Sequence, residues 1–204
     1  ACDLVVEAVV ENMALKREVF TALDAICPPH AILASNTSSM CVTEMASVTR
    51  RTDKVLGMHF FNPVPVMKLL ELVRTFLTGQ ETLDTARAFG ESLGKTVIVA
   101  KDNPGFMVSY TLIPYLLDSI RAVEEGIGSA PDLDAGMKLG CNMPMGPIEL
   151  ADFIGLDTIL NIADGMFKEY KNDRFAAPPL LRRMVLAGRL GRKTGRGFYD
   201  YVKG

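Results

Sequence analysis

The feature that most constrains this chain is a change of rhythm near residue 102. Before it, short apolar runs alternate with helix-period segments; after it, strand signals almost vanish. Leu4-Val5-Val6-Glu7-Ala8-Val9-Val10 is nearly continuous apolar sequence, as expected of a strand buried on both faces. Asn12 can cap a helix whose apolar positions Leu15, Val19, Leu23 and Ile26 share one face, and Pro28-Pro29 ends it. Residues 31–35 suggest a second strand. Thr43 and Glu44 open a short helix, and Val55 to Phe60 forms a third strand. Leu69–Val73 and Thr96–Ala100 suggest two more, separated by a helix over about 82–93 that stops at Gly94. Strand, helix, strand in this order predicts parallel pairing in an α/β layer.

From Asn103-Pro104 the pattern predicts a helix running to about Glu125, with Pro114 inside it. Helices over about 132–139, 147–154, 157–171 and 178–187 follow, with Ile159, Ala163, Met166, Phe167 and Tyr170 on one face of the fourth. The expected architecture is therefore α/β plus all-α: an incomplete Rossmann-type parallel sheet over residues 1–102, then a helical domain over 103–204. The 204 residues suffice for one large domain or two small ones.

Composition removes several function classes. A net charge of −2 with dispersed basic residues gives no nucleic-acid surface. Four scattered cysteines and two histidines, without a C-x-x-C pair, argue against a metal site and for free thiols in a reducing compartment. No apolar run reaches membrane-span length and no charged-then-apolar leader opens the chain, so a cytoplasmic location is expected, or the mitochondrial matrix in a eukaryote.

The chemistry-bearing residues gather at expected strand ends, where open α/β sheets place their ligands. His59 closes the third strand, and histidine is the side chain whose charge changes near neutral pH. Glu71 lies on the next strand across a short proline-rich turn, close enough to orient the imidazole as a general base. Ser35-Asn36-Thr37-Ser38-Ser39 ends the preceding strand, and five small polar residues in a row are poor core filling. Parallel neighbours would bring Ser38 and His59 to one sheet edge. A base, a carboxylate and a hydroxyl suit removal of a proton from an alcohol. Taken singly, each has an ordinary alternative: a structural histidine, a solvated glutamate, a turn.

The segments Ala34-Ser35-Asn36-Thr37-Ser38-Ser39, Gly57-Met58-His59-Phe60-Phe61-Asn62-Pro63, Asp102-Asn103-Pro104-Gly105-Phe106 and Pro144-Met145-Gly146-Pro147 together resemble the 3-hydroxyacyl-CoA dehydrogenase family. So do the segment from Leu150 to Asp157 and the ending Gly191-Arg192-Lys193-Thr194-Gly195-Arg196-Gly197-Phe198-Tyr199. The nearest subgroup is the short-chain, 3-hydroxybutyryl-CoA type. The resemblance implies NAD-dependent oxidation of an L-3-hydroxyacyl-CoA to the 3-ketoacyl-CoA, in fatty-acid β-oxidation or butanoate metabolism. It assigns His59 as base, Glu71 as its orienting carboxylate, and Ser38 as the hydrogen-bonding partner of the substrate oxygen. Glu11, Lys16, Ser38, Asn62 and Lys193 match positions that contact NAD. An acyl-CoA substrate and a homodimer formed through the helical domain are the implied partners.

Two departures stand out. The family's opening strand and G-x-G-x-x-G turn have no counterpart; Gly126-Ile127-Gly128 and Gly195-Arg196-Gly197 lack both the context and the third glycine. An N-terminally truncated member, short of roughly 80 residues of one mononucleotide-binding half, is the expectation. Second, Ser109-Tyr110-Thr111 stands where the family usually has asparagine, arginine and leucine. Ser109, in the asparagine's catalytic position, lacks the carboxamide's donor–acceptor pair. The alternative to an active enzyme is therefore a catalytically impaired fragment serving only as a dimerising module.

Overall fold

The computed structural model describes residues 2–201. Residues through Met107 form one compact unit and those from Val108 another.

The first unit is a five-stranded sheet in the order β1-β2-β3-β4-β5. Its strands are β1 (Leu4–Glu7), β2 (Ile32–Ser35), β3 (Val55–Phe60), β4 (Leu69–Arg74) and β5 (Thr96–Lys101). Pairing is parallel except between β3 and β4, which run antiparallel in the register Gly57↔Val73 to Phe60↔Leu70. The expected parallel sheet thus has one reversed step. The chain between Phe60 and Leu69 is too short for the helical crossover that parallel neighbours need. Strand β1 is also shorter than its apolar run, closing at Glu7.

Helices α1 (Met13–Ile26), α2 (Val42–Ala46) and α3 (Gln80–Ser92) join these strands. Asn12 caps α1 as expected, its Oδ1 accepting from the Leu15 N–H at 3.1 Å. The sheet is buried on both faces, which is why its strands lack a clean polar alternation. Leu33, Val55 and Val73 pack with Phe20, Val42 and Met45 on one face. Ile32, Ala34, Leu56, Met58, Leu70 and Leu72 pack with Leu83 and Ala86 of α3 on the other. Burying one such side chain stabilises the fold by about 1.5–3 kcal/mol.

The second unit is helical: α4 (Val108–Glu124), α5 (Ala130–Gly140), α6 (Pro147–Ile154), α7 (Leu156–Tyr170) and α8 (Pro179–Leu186). The first of these starts five residues later than Asn103-Pro104 suggested. Gly105 and Phe106 both have positive φ, 81° and 49°, so a right-handed helix cannot begin until they are passed. The core is built around Ile113, Leu116, Leu117, Ile148, Ile159 and Met166. Tyr110 joins an aromatic group with Tyr170 and Phe175, at centroid distances of 5.6 and 5.5 Å, and the Arg174 guanidinium lies over its ring. The departure at position 110 therefore has a packing role inside this unit.

The glycine-rich segment from Gly191 to Gly197, with the tyrosines after it, folds against α5 and α6 through two buried aspartates. Asp152, in α6, accepts from the N–H groups of Phe198 and Tyr199 and from the Tyr201 hydroxyl, at 3.0, 2.9 and 3.0 Å. A Cβ at Gly197 would fall onto that carboxylate. Asp134, in α5, accepts from the Ile148 and Glu149 N–H groups at the start of α6 and from the Tyr199 hydroxyl at 2.6 Å.

Candidate active site

The C-terminal edge of β2 and β3 carries the candidate site of the first unit. Register Ser35↔Gly57 sets the Ser35–Ser39 turn beside the end of β3, where His59 stands two residues further on. Because β4 runs antiparallel to β3, Glu71 near its start pairs directly with His59. A parallel β4 would have carried Glu71 to the opposite edge. The reversed step is thus what brings the carboxylate to the imidazole.

The His59 Nδ1 lies 3.0 Å from the Glu71 Oε2. Glu71 is fully buried and His59 only 7% exposed. The other carboxylate oxygen accepts from the Met107 N–H at 2.8 Å, so both oxygens are directed. An ionised carboxylate can only accept, so Nδ1 carries the hydrogen and Nε2 is left with the lone pair. The rings of Phe61 and Phe106 flank the imidazole at 4.4 and 5.8 Å, giving it an apolar wall. Electrostatic stabilisation of an imidazolium is strong in such surroundings. The pair can accept a proton at Nε2 and balance the resulting charge.

The serine-rich turn is held by carboxylates. Glu11 accepts from the Thr37 hydroxyl at 2.9 Å, the Ser38 N–H at 3.0 Å and the Ser38 hydroxyl at 3.4 Å. Ser35 is fully buried and Thr37 nearly so, contrary to the expectation that such residues are poor core filling. Each is tolerated because it is partnered: Ser35 donates to Glu7 at 2.7 Å and Thr37 to Glu11. Ser38 itself is only partly buried. The Asn36 Oδ1 accepts from the Phe60 N–H at 2.9 Å, tying the turn to the residue beside His59.

The positions matched to NAD contacts differ in setting. Glu11 keeps its side chain 42% exposed, whereas Lys16 is enclosed at 1%. The Lys16 ammonium meets Glu7 at 2.8 Å, the Val9 carbonyl at 3.3 Å and Glu11 at 3.4 Å. Asn62 is exposed just past β3, in a cis peptide bond to Pro63. In the second unit, Ser109 is buried at the start of α4, and Lys193 is ion-paired with Asp157 beside Gly155. As a donor set, an exposed carboxylate and a hydroxyl at the end of parallel strands fit the ribose and nicotinamide side of a dinucleotide. A phosphate-cradling glycine turn is not among the sequence's motifs.

Glu7 escaped the sequence reading. Its signal was present: it is the single charge in the run from Leu4 to Val10, in a strand that must be buried. Asp134 and Asp152 escaped as well, since an aspartate in a helix pattern looks like surface charge. No group of three or more metal-ligating side chains lies together among the described residues.

Comparison with known proteins gives a consistent relationship. The family profile described as "3-hydroxyacyl-CoA dehydrogenase, NAD binding domain" matches residues 1–103, and that described as "3-hydroxyacyl-CoA dehydrogenase, C-terminal domain" matches 105–201. The chain is 52% identical over 199 residues to the "Probable 3-hydroxybutyryl-CoA dehydrogenase" of Bacillus subtilis, covering 98% of this chain and 69% of that protein. It is 48% identical over 200 residues to the "Hydroxyacyl-coenzyme A dehydrogenase, mitochondrial" of Sus scrofa, covering 98% and 64%. Among solved structures it resembles the (S)-3-hydroxybutyryl-CoA dehydrogenase PaaH1 of Ralstonia eutropha with a TM-score of 0.95 and 46% identity, covering 98% of this chain and 71% of that one.

Proposed function

This chain belongs to the 3-hydroxyacyl-CoA dehydrogenase family, and from that premise we propose that it oxidises an L-3-hydroxyacyl-CoA to the 3-ketoacyl-CoA with NAD, reversibly, with 3-hydroxybutyryl-CoA as the preferred substrate. The observation that carries the proposal is the buried His59–Glu71 pair, set at the sheet edge beside the Ser38 turn.

In the proposed reaction Nε2 of His59 removes the proton from the 3-hydroxyl. Glu71 holds the ring and balances the imidazolium charge. The Ser38 hydroxyl donates to the oxygen that becomes the ketone. NAD, when bound, supplies the acceptor for the hydride leaving C3. Glu11, Lys16, Ser38, Asn62 and Lys193 are assigned to its recognition. Ser109 is assigned the catalytic position that the family usually fills with asparagine. The region 1–102 serves the cofactor. The helical region 103–204 serves substrate binding and homodimerisation, a role supported by its exposed Leu139, Leu186 and Ile127. No helix among the described residues is long and apolar enough to cross a membrane. We assign the reaction to β-oxidation or butanoate metabolism in the cytoplasm, or in the matrix of a eukaryotic cell.

The test is NADH titration followed by fluorescence, with turnover of acetoacetyl-CoA read as NADH loss at 340 nm. Saturable binding in the micromolar range with turnover supports the proposal. Binding and turnover both missing would leave only an associating module, and sedimentation velocity would decide whether it dimerises.

A further inference from the structure

Glu7 belongs to a connected group of charges in the first unit, and the proposed reaction leaves it without a task. Glu7 ends β1 with its side chain 1% exposed, and Lys16 faces it with the same exposure. An ion pair so deep brings a heavy desolvation penalty and is weak grounds for stability by itself. Lys16 also stands in the first turn of α1, where the helix dipole disfavours a cation. Apolar residues of similar volume would serve packing as well or better. The geometry shows what the charges achieve instead.

Glu7 uses both oxygens on the candidate site's supports. One accepts from the Val9 N–H at 2.6 Å and from Lys16 at 2.8 Å; the other accepts from the Ser35 hydroxyl at 2.7 Å. The Ser35 oxygen in turn accepts from the Thr37 N–H at 3.2 Å. Lys16 donates to Glu7 and to the Val9 carbonyl and forms an ion pair with Glu11. Glu11 then grips Thr37 and the Ser38 N–H. Two chains of contacts thus leave Glu7 and meet at the turn bearing Ser38, one through Ser35 and one through Lys16 and Glu11.

We propose that Glu7 is a positioning residue: it anchors Lys16 and Ser35 so that Glu11 and Ser38 are held in place at the cofactor edge. The proposal rests on the dehydrogenase assignment above for what the edge is used for. The geometry of the turn is independent of that assignment.

The experiment compares wild type, Glu7→Gln and Ser35→Ala. Ser35→Ala cuts one of the two chains of contacts and keeps the Glu7–Lys16 ion pair whole, so it stands in where Glu7→Gln fails to fold. Amide hydrogen exchange of Ser38 is read by NMR against Leu33 and Ala34 of β2, which report general loosening of the sheet. In either variant Ser38 exchange is expected to rise about tenfold relative to Leu33 and Ala34, as loss of one charge-assisted hydrogen bond implies. NADH affinity is expected to weaken by about the same factor. A purely structural role would move all three amides together or none of them, and either result overturns the proposal. Loosened Ser38 exchange with unchanged NADH affinity overturns its link to the cofactor edge. If wild type itself fails to bind NADH, the dehydrogenase assignment fails, while Ser38 exchange still decides whether Glu7 positions the turn.

Discussion

The Glu71 carboxylate serves two donors at once, and that makes Glu71→Gln a sharp perturbation. Oε2 faces the His59 Nδ1 at 3.0 Å and Oε1 accepts from the Met107 N–H at 2.8 Å. A glutamine of the same shape has one carbonyl oxygen for these two hydrogens. If the oxygen stays with Met107, the amide NH₂ meets Nδ1. Nδ1 must then accept, the ring hydrogen moves to Nε2, and the base loses its lone pair. If the oxygen turns to His59, the buried Met107 N–H faces an NH₂ instead. In both cases the negative charge opposite the imidazolium is gone. For unit charges about 4 Å apart, an effective dielectric of about 20 gives about 4 kcal/mol, or about 10³-fold in rate. The expected result is a fall in kcat of about two to four orders of magnitude with a much smaller change in KM. Imidazole ¹⁵N shifts provide the direct assay, and the spectrum is simple because His30 is the other histidine of two. Wild type should show hydrogen on Nδ1 of His59, and the variant a shift toward the Nε2-H form. An unchanged tautomer with kcat within threefold of wild type would refute the assignment of Glu71 as the group that orients the base.

Three further outcomes follow from the helical unit. Asp152→Ala removes the acceptor for two N–H groups and one hydroxyl at a residue 1% exposed, so it should destabilise by about 1–3 kcal/mol for each donor left buried without a partner, read as a lower urea midpoint. Burial first, and then the Asp152 carboxylate, push the Tyr201 phenol up to about 12; burial and the hydrogen bond to Asp134 push Tyr199 higher still. A tyrosine with an ordinary value near 10 ionises earlier in the unfolded chain, which then binds fewer protons. The stabilisation is therefore complete below about pH 10 and is lost as pH rises toward about 12. Urea midpoints should fall across that window, and less steeply in Tyr201→Phe. Ser109→Asn should raise kcat/KM in a chain carrying the family's phosphate-binding turn, and an unchanged value would refute the role given to that position.

Most of the element order is legible because the strands bury both faces and the helices present stripes; the two periods differ and turn residues separate them. What escaped has definite causes. The start of α4 escaped because Phe106 takes a left-handed backbone that no pattern assigns to phenylalanine. The direction of β4 was readable in principle: the chain from Phe61 to Lys68 cannot make a parallel crossover, and the histidine–glutamate pairing needs the antiparallel step. His59, Glu71 and Ser38 were legible as candidates, since reactive residue types sat at strand ends.

The carboxylates that hold the turns were not legible, and the reason is physical. Asp102 illustrates it. Its oxygens accept from the Val42 and Thr43 N–H groups at 2.9 and 2.6 Å and from the Thr43 hydroxyl at 2.6 Å, so it caps α2 from about sixty positions away in the chain. Glu7 acts on Ser35, and Asp134 on Ile148 and Tyr199, in the same way. Local patterns report what a residue does for its own helix or strand, and these residues act on another one. The family motifs contain both kinds. Ser35–Ser39 and His59 carry the candidate chemistry, while Asp102, Asp152 and Gly197 serve caps and close approaches. A match to such motifs identifies the scaffold and the reactive groups together. Substitutions at Asp152 and at Glu71 separate the two: the first should move stability, and the second the protonation of one imidazole.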